Sequence, residues 1–296
     1  MKKTFYIYLI IVLVGLNACD TGKQLTQTKQ TAITSFNNGD YAKALEMYET
    51  IISSYKAKGT EKQCDAYTNA GIAASKLGQT EKSIEYLKQA TYTEFSNENT
   101  YYGLYEVYAS KDNLSLELEM LEIYFEKYPE GKNIEDVNLR LFEIYTEIEN
   151  WVKAYEFWDK LTADQQSLPE EIENFLLVNN KLGKDERCLK LSKQLLDLDE
   201  NNLTALKWIS SYYFWRAENR YNKEMKIYEV KKTNKQYAHL LRVIDEVTLE
   251  YKEALKYSEK LYKLDPSPKN AKLLGNTYSR LNYKDKADYY QKLGEK

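Results

Sequence analysis

An all-α fold of antiparallel helix pairs stacked in series, with one extended helical hairpin, is what this sequence predicts, and three observations predict it. Of 296 residues only 11 are Gly and 4 are Pro, while 43% are hydrophobic and 29% charged, a balance with few breakers and enough apolar mass for a sizeable core. Small residues recur around turns: Ala70, Gly71, Ala73 and Ala74 precede Gly78, and Ile84, Leu87 and Ala90 return at helical spacing beyond it. Such residues at fixed offsets let two helix backbones approach closely, which amphipathicity alone does not require. From Leu203 to Leu264 the helical period is interrupted only by a polar break at Thr233-Asn234, so this pair is longer than the rest.

The chain starts with Lys2-Lys3, a twelve-residue apolar run from Phe5 to Leu16, and Cys19. That is the layout of an export signal, too short for a comfortable membrane span. Leu16-Asn17-Ala18-Cys19 resembles the bacterial lipobox, which implies that Cys19 becomes the lipidated first residue of the mature protein. Asn17 is an atypical occupant of that motif. Residues 1–18 are then a signal peptide and 19–28 a polar, lipidated tether, which places the protein in the cell envelope, anchored by lipid to the outer membrane. Removing Lys2 and Lys3 leaves 40 basic against 45 acidic side chains and a net charge of −5. A weakly acidic, mixed surface is no signature of nucleic-acid binding.

Successive pairs follow, five of them across residues 29–202. The first turns at Gly39-Asp40 and packs Tyr41, Ala44, Leu45, Tyr48, Ile51 and Ile52 inward; in the second, the Thr80 hydroxyl is expected to cap a helix. A third covers Glu98 to Tyr128, turns at Asp112-Asn113 and stops at Pro129-Glu130-Gly131. The fourth carries Leu141, Phe142, Tyr145, Trp151, Ala154, Trp158 and Leu161 in its stripe. The fifth opens at Pro169, a residue suited to a first helical turn, and turns at Gly183-Lys184-Asp185. A terminal pair occupies 265–294.

These units resemble tetratricopeptide repeats. Leu274, Gly275, Tyr278 and Ala287 match the pattern, as do Leu141, Tyr145, Ala154 and Trp158, and Gly71 with Ala90, whereas Phe142 and Leu176 stand where a small residue is usual. The resemblance implies a right-handed solenoid whose first helices line a concave groove. It would place Phe36, Ile72, Tyr101, Tyr105, Tyr108, Leu139, Glu143, Glu147, Glu173 and Asn180 along that groove. The strongest candidates are Tyr101, Tyr105 and Tyr108, which would hold a peptide or helix by aromatic contact, beside Leu139, with Glu143 and Glu147 selecting basic groups.

The sixth unit, 203–264, breaks the period. Two helices of about thirty residues, 203–231 and 235–264, meet at Thr233-Asn234, and each is about 45 Å long at 1.5 Å per residue. The tip is basic, with Arg220, Lys223, Lys226, Lys231, Lys232 and Lys235 against Glu224 and Glu229. It reads either as a solvated end or as a contact surface for an acidic partner or phospholipid headgroups.

Chemistry is harder to find. The single histidine, His239, has no carboxylate three or four residues away, and no phosphate loop or serine elbow appears. Cys64 and Cys188 lie in different repeats, too far apart for a disulfide and too few for a metal site. No enzyme activity, cofactor or metal is expected. The partner expected is a protein or peptide, with the membrane reached through the N-terminal lipid, so the function is a lipid-anchored interaction scaffold. Accessory roles in outer-membrane protein assembly or surface glycan capture are the alternatives.

Overall fold

The computed structural model describes residues 23–295. The signal segment and Cys19 lie outside them. A helix over residues 23–37 (α1) opens the described chain, so the second half of the expected tether, 23–28, is helical. Leu25 explains why: it packs on the first core cluster, with Ala32 and Phe36 further along the same helix.

The helices that follow are α2 (Tyr41–Ala57), α3 (Tyr67–Lys76), α4 (Thr80–Ala90), α5 (Glu98–Ala109), α6 (Leu114–Lys127), α7 (Ile134–Glu147), α8 (Trp151–Trp158), α9 (Ala163–Ser167), α10 (Pro169–Lys181), α11 (Asp185–Leu198), α12 (Leu203–Val230), α13 (Asn234–Leu264), α14 (Pro268–Arg280) and α15 (Lys284–Leu293). No strand occurs among the described residues. They divide into two compact units between Ile144 and Tyr145, inside α7.

The same turn joins the two helices of a pair in both units. Gly39, Gly78 and Asp112 in the first unit, and Glu149, Gly183 and Asn282 in the second, each have φ between 52° and 77°. The amide after each bonds back five residues, as from Asp40 to the Ser35 carbonyl and from Tyr283 to that of Tyr278, at 2.9 and 3.0 Å. This is the left-handed helix stop that satisfies orphan carbonyls. The steps from Gly39 through Gly78, Asp112 and Glu149 to Gly183 are 39, 34, 37 and 34 residues. Asp40, Asn113 and Asn150 then cap the next helix with their side chains. The cap expected of Thr80 does not form: Gln79 occupies that position without a side-chain bond, and Thr80 is already inside the helix.

In the first unit small residues do bring helices together. A Cβ on Gly71 of α3 would lie 2.5 Å from Leu87 Cγ and 3.1 Å from the Leu87 backbone nitrogen on α4. The hydroxyls of Thr68 and Thr100, both buried, bond at 2.7 Å and tie α3 to α5. In the second unit Trp158 of α8 stacks on Phe175 of α10 at 4.1 Å, and Pro169 stands in the first turn of α10. Ala44, Ala154 and Cys188, equivalent in their own pairs, are all fully buried.

The long hairpin belongs to the second unit. α12 and α13 have 28 and 31 residues, about 42 and 46 Å long. Phe214, Ala217, Val243, Val247, Tyr251 and Ala254 form its core, with Leu273 and Leu281 of the terminal pair packed against them. Past Glu218 no residue of α12 is buried. The outer part of the hairpin is thus two helices packed mainly on each other.

Candidate protein-binding face

The second unit presents a face built by two first helices, α10 and α12. Its register is fixed by Glu173: one carboxylate oxygen accepts from the Asn202 side-chain amide at 2.6 Å and the other from the Thr204 hydroxyl at 2.7 Å. Asn202 in turn caps α12 by accepting from the Ala205 amide at 2.9 Å. Further along the same two helices, the Trp208 indole donates to Asn180 at 3.0 Å. Glu173 and Asn180, both expected to face the groove, therefore tie the two helices together, with each Glu173 oxygen already accepting one hydrogen bond.

Above that lock runs an aromatic stripe. Trp208, Tyr212 and Trp215 stand at i, i+4 and i+7, which puts them on one side of α12, opposite the buried Leu206, Ile209, Phe214 and Ala217. Trp208 and Tyr212 stack at 4.8 Å with planes 16° apart. The Arg216 guanidinium lies 5.7 Å from the Tyr212 ring centre and donates to its hydroxyl at 3.2 Å. That bond, outweighing desolvation, holds Arg216 above its ordinary value. Trp215 is 58% exposed and Leu177, on α10 between Glu173 and Asn180, 41%. Trp208 and Tyr212 are half-buried and stacked on each other while Trp215 and Leu177 stand open, and side chains already packed against neighbours lose little order on binding.

The candidates in the first unit are placed differently. Tyr101 and Tyr108 are each only 5% exposed, a correction to the expected groove row. Tyr101 accepts from Lys127 at 3.0 Å and packs on Tyr128; of the three, Tyr105 alone is partly open, against Tyr102 at 5.2 Å. The physical reason is register, since α5 turns Thr100, Gly103, Leu104 and Val107 inward together with Tyr101 and Tyr108. Leu139, Phe36 and Ile72 are half-buried. Glu143, also half-buried, accepts from Arg140 at 2.9 Å, and the same guanidinium bonds the buried Glu117 at 2.6 Å. One guanidinium thus serves both carboxylates. Glu147 is exposed and lies in the second unit.

The basic tip also sorts into two groups. Arg220 is an ion-pair partner of Glu246 and Glu250 on α13, which corrects its inclusion in an open contact surface. Lys223, Lys226, Lys231, Lys232 and Lys235 are exposed, and none of them forms an ion pair among the described residues. His239 does meet a carboxylate, Glu224 at 3.1 Å, across the hairpin rather than along its own helix.

Among the described residues no group of three or more His, Cys, Asp or Glu side chains is placed to hold a metal ion, and no helix is long and apolar enough to cross a membrane. Residues 65–97 match the family model described as "Tetratricopeptide repeat". That segment is similar to a tetratricopeptide repeat. It contains α3 and α4, the pair closed by Gly71 against Leu87.

No curated protein matches the chain. Among solved structures, a protein of Bacteroides ovatus described as a candidate protein-binding protein is similar over 74% of this chain and 98% of its own, with a TM-score of 0.51 and 19% identity. That likeness is one of fold. YrrB, described as a TPR protein with an unusual peptide-binding site, aligns over 82% of this chain and 100% of its own at 15% identity and a TM-score of 0.48. A tetratricopeptide repeat protein from Parabacteroides merdae aligns over 92% and 93% at 12% identity and 0.46.

Proposed function

We propose that this protein is a lipid-anchored scaffold of tetratricopeptide-like helix pairs that holds a protein partner on the α10–α12 face. The observation that carries the reading is the Trp208–Tyr212–Trp215 stripe beside Leu177, an open and pre-ordered apolar strip bounded by Arg216 and Asn180. Tyr and Trp bury large areas at small entropic cost, and Arg beside them is common where binding energy concentrates. The strip suits a segment presenting apolar side chains at regular intervals, extended or helical. The anchor is the thioether-linked lipid on Cys19 implied by the lipobox resemblance.

Two measurements test this separately. A photo-crosslinking residue at Leu177 or Trp215, in cells, is expected to trap a defined protein that the same probe at Tyr92, 70% exposed in the first unit, does not. The adduct from Leu177 should vanish in a Trp208→Ala, Tyr212→Ala variant. Identical patterns from all three probe positions would remove the face as a binding site. Metabolic labelling with a fatty-acid analogue should mark the wild type and not Cys19→Ser; equal labelling of both would remove the anchor and leave the binding face standing.

A further inference from the structure

We infer that the tip of the α12–α13 hairpin is a docking point for an anionic phospholipid surface. It goes beyond the scaffold reading, since neither the α10–α12 face nor the Cys19 lipid is needed for it. The chain is net acidic, with a formal charge of −3, yet the tip collects Lys223, Lys226, Lys231, Lys232 and Lys235 against Glu224 and Glu229. Glu224 is engaged by His239, and the five lysines have no ion-pair partner among the described residues.

Apolar side chains stand among these lysines where a merely solvated end would not keep them. Val230, the last residue of α12, is 89% exposed, Tyr237 is 49% exposed, and Ile227 and Leu241 are each 43% exposed. On α12 the spacing 223, 226, 227, 230 puts Lys223, Lys226, Ile227 and Val230 on one outward face. Lys231 and Lys232 follow in the connection, and Lys235 stands in the first turn of α13.

The shape selects among acidic partners. An end made of two helices and a short connection is convex, so it offers no groove in which to enclose an acidic peptide. A planar surface needs no groove. Lysine stems can lie along apolar surface with their ammonium groups at headgroup level while a valine and a tyrosine enter the boundary. Clustered basic residues near such a surface add their attraction to that of the apolar contact.

The test uses the full chain with Cys19→Ser and Val230→Cys, labelled at position 230 with a polarity-sensitive fluorophore. Cys64 and Cys188 are fully buried, so the new thiol takes the label. The labelled protein is mixed with phosphatidylcholine vesicles, with phosphatidylglycerol-containing vesicles and with polyglutamate. Lys2 and Lys3 also favour anionic vesicles, but the label reports position 230 and the variant lacking the five tip lysines keeps both, so the loss of signal in that variant reads the tip. A blue shift confined to phosphatidylglycerol is expected, reversed by high salt. Replacing the five lysines by Gln, with helicity checked by circular dichroism, should weaken it by about tenfold or more. Equal spectra in the two vesicle types would overturn the inference. So would a response to polyglutamate with none to vesicles, which would make the partner an acidic macromolecule.

Discussion

Arg280 on α14 sets two guanidinium nitrogens on the carboxylate of Glu218 on α12, Nη2 to Oε2 at 2.6 Å, across 62 residues of sequence. Glu218 is 7% exposed, and the Tyr251 hydroxyl of α13 donates to the same carboxylate at 2.7 Å. One acidic group thus joins both long helices to the terminal pair.

Removing that group leaves a cation and a hydroxyl facing a low-dielectric gap. Glu218→Ala is expected to cost about 2–3 kcal/mol, toward the low end for a buried pair because Arg280 keeps some solvent. Glu218→Gln, which still accepts from Tyr251, should lose less. Arg220→Ala should lose under about 1 kcal/mol, because its Glu246 partner is exposed and Arg216 still pairs with the buried Glu250. Thermal melts of the three variants check the order; an Arg220 variant as unstable as Glu218→Ala would refute it.

Gly71 and Gly275 are close-approach positions in different units. A Cβ at Gly275 would sit 2.9 Å from the Gln291 backbone nitrogen and 3.2 Å from the Tyr290 carbonyl carbon. Gly71→Ala and Gly275→Ala, although they raise helix propensity, should each destabilise by about 1–3 kcal/mol through overpacking. Denaturant midpoints higher than wild type would show that the helices can part without loss.

Alkali should unfold the protein through its tyrosines. Burial, then nearby carboxylates such as Asp136, push Tyr102 up to about 12, and burial together with the Glu218 carboxylate pushes Tyr251 higher still. Below pH 10, the ordinary value, both folded and unfolded chains keep these protons and the stabilisation is complete. Above it the unfolded chain ionises first, so stability falls as pH rises toward and past 12. The melting temperature is expected to hold between pH 7 and 9 and to drop above 10, with late phenolate absorbance at 295 nm appearing together with loss of helix. Full titration near pH 10 with helicity intact would contradict it.

Both internal thiols should be inert in the folded chain. Burial, followed by Asp185, pushes the Cys188 thiol up to about 12, and burial raises Cys64 as well. Cys188 also lies 3.7 Å from the Leu176 carbonyl as a weak donor. Neither should react with a disulfide reagent at pH 8 until denaturant is added. Fast modification under native conditions would mean that these pairs open far more readily than their packing allows.

Much of the fold was legible because its determinants are local. Ala70, Gly71, Ala73 and Ala74 announce a close helix contact, Gly39, Gly78 and Gly183 announce turns, and the absence of such a turn between Leu203 and Val230 announces the long hairpin. The proposed binding face was harder to see because α12 is apolar on two sides. Trp208, Tyr212 and Trp215 have the same helical spacing as the buried Ser210, Phe214 and Ala217, and only the neighbouring helices decide which side is covered. α5 has the same ambiguity, with Tyr at 101, 102, 105 and 108. The Glu224–His239 pair spans 15 residues across the hairpin connection, a separation that a search along one helix cannot find.

Three of the six helix stops hold a residue with a side chain where the backbone favours none. Asp112, Glu149 and Asn282 sit at φ of 52°, 58° and 62°, and the left-handed region costs an ordinary residue about 1 kcal/mol relative to glycine. Glu149→Gly should therefore raise the melting temperature, by about 2–4 °C if the gain reaches 1 kcal/mol; a lower value would show that the carboxylate earns its place locally. The chain carries a reserve of heat tolerance that natural selection has left unused, so an engineer can toughen this protein at its bends while leaving every surface that meets another molecule as it is.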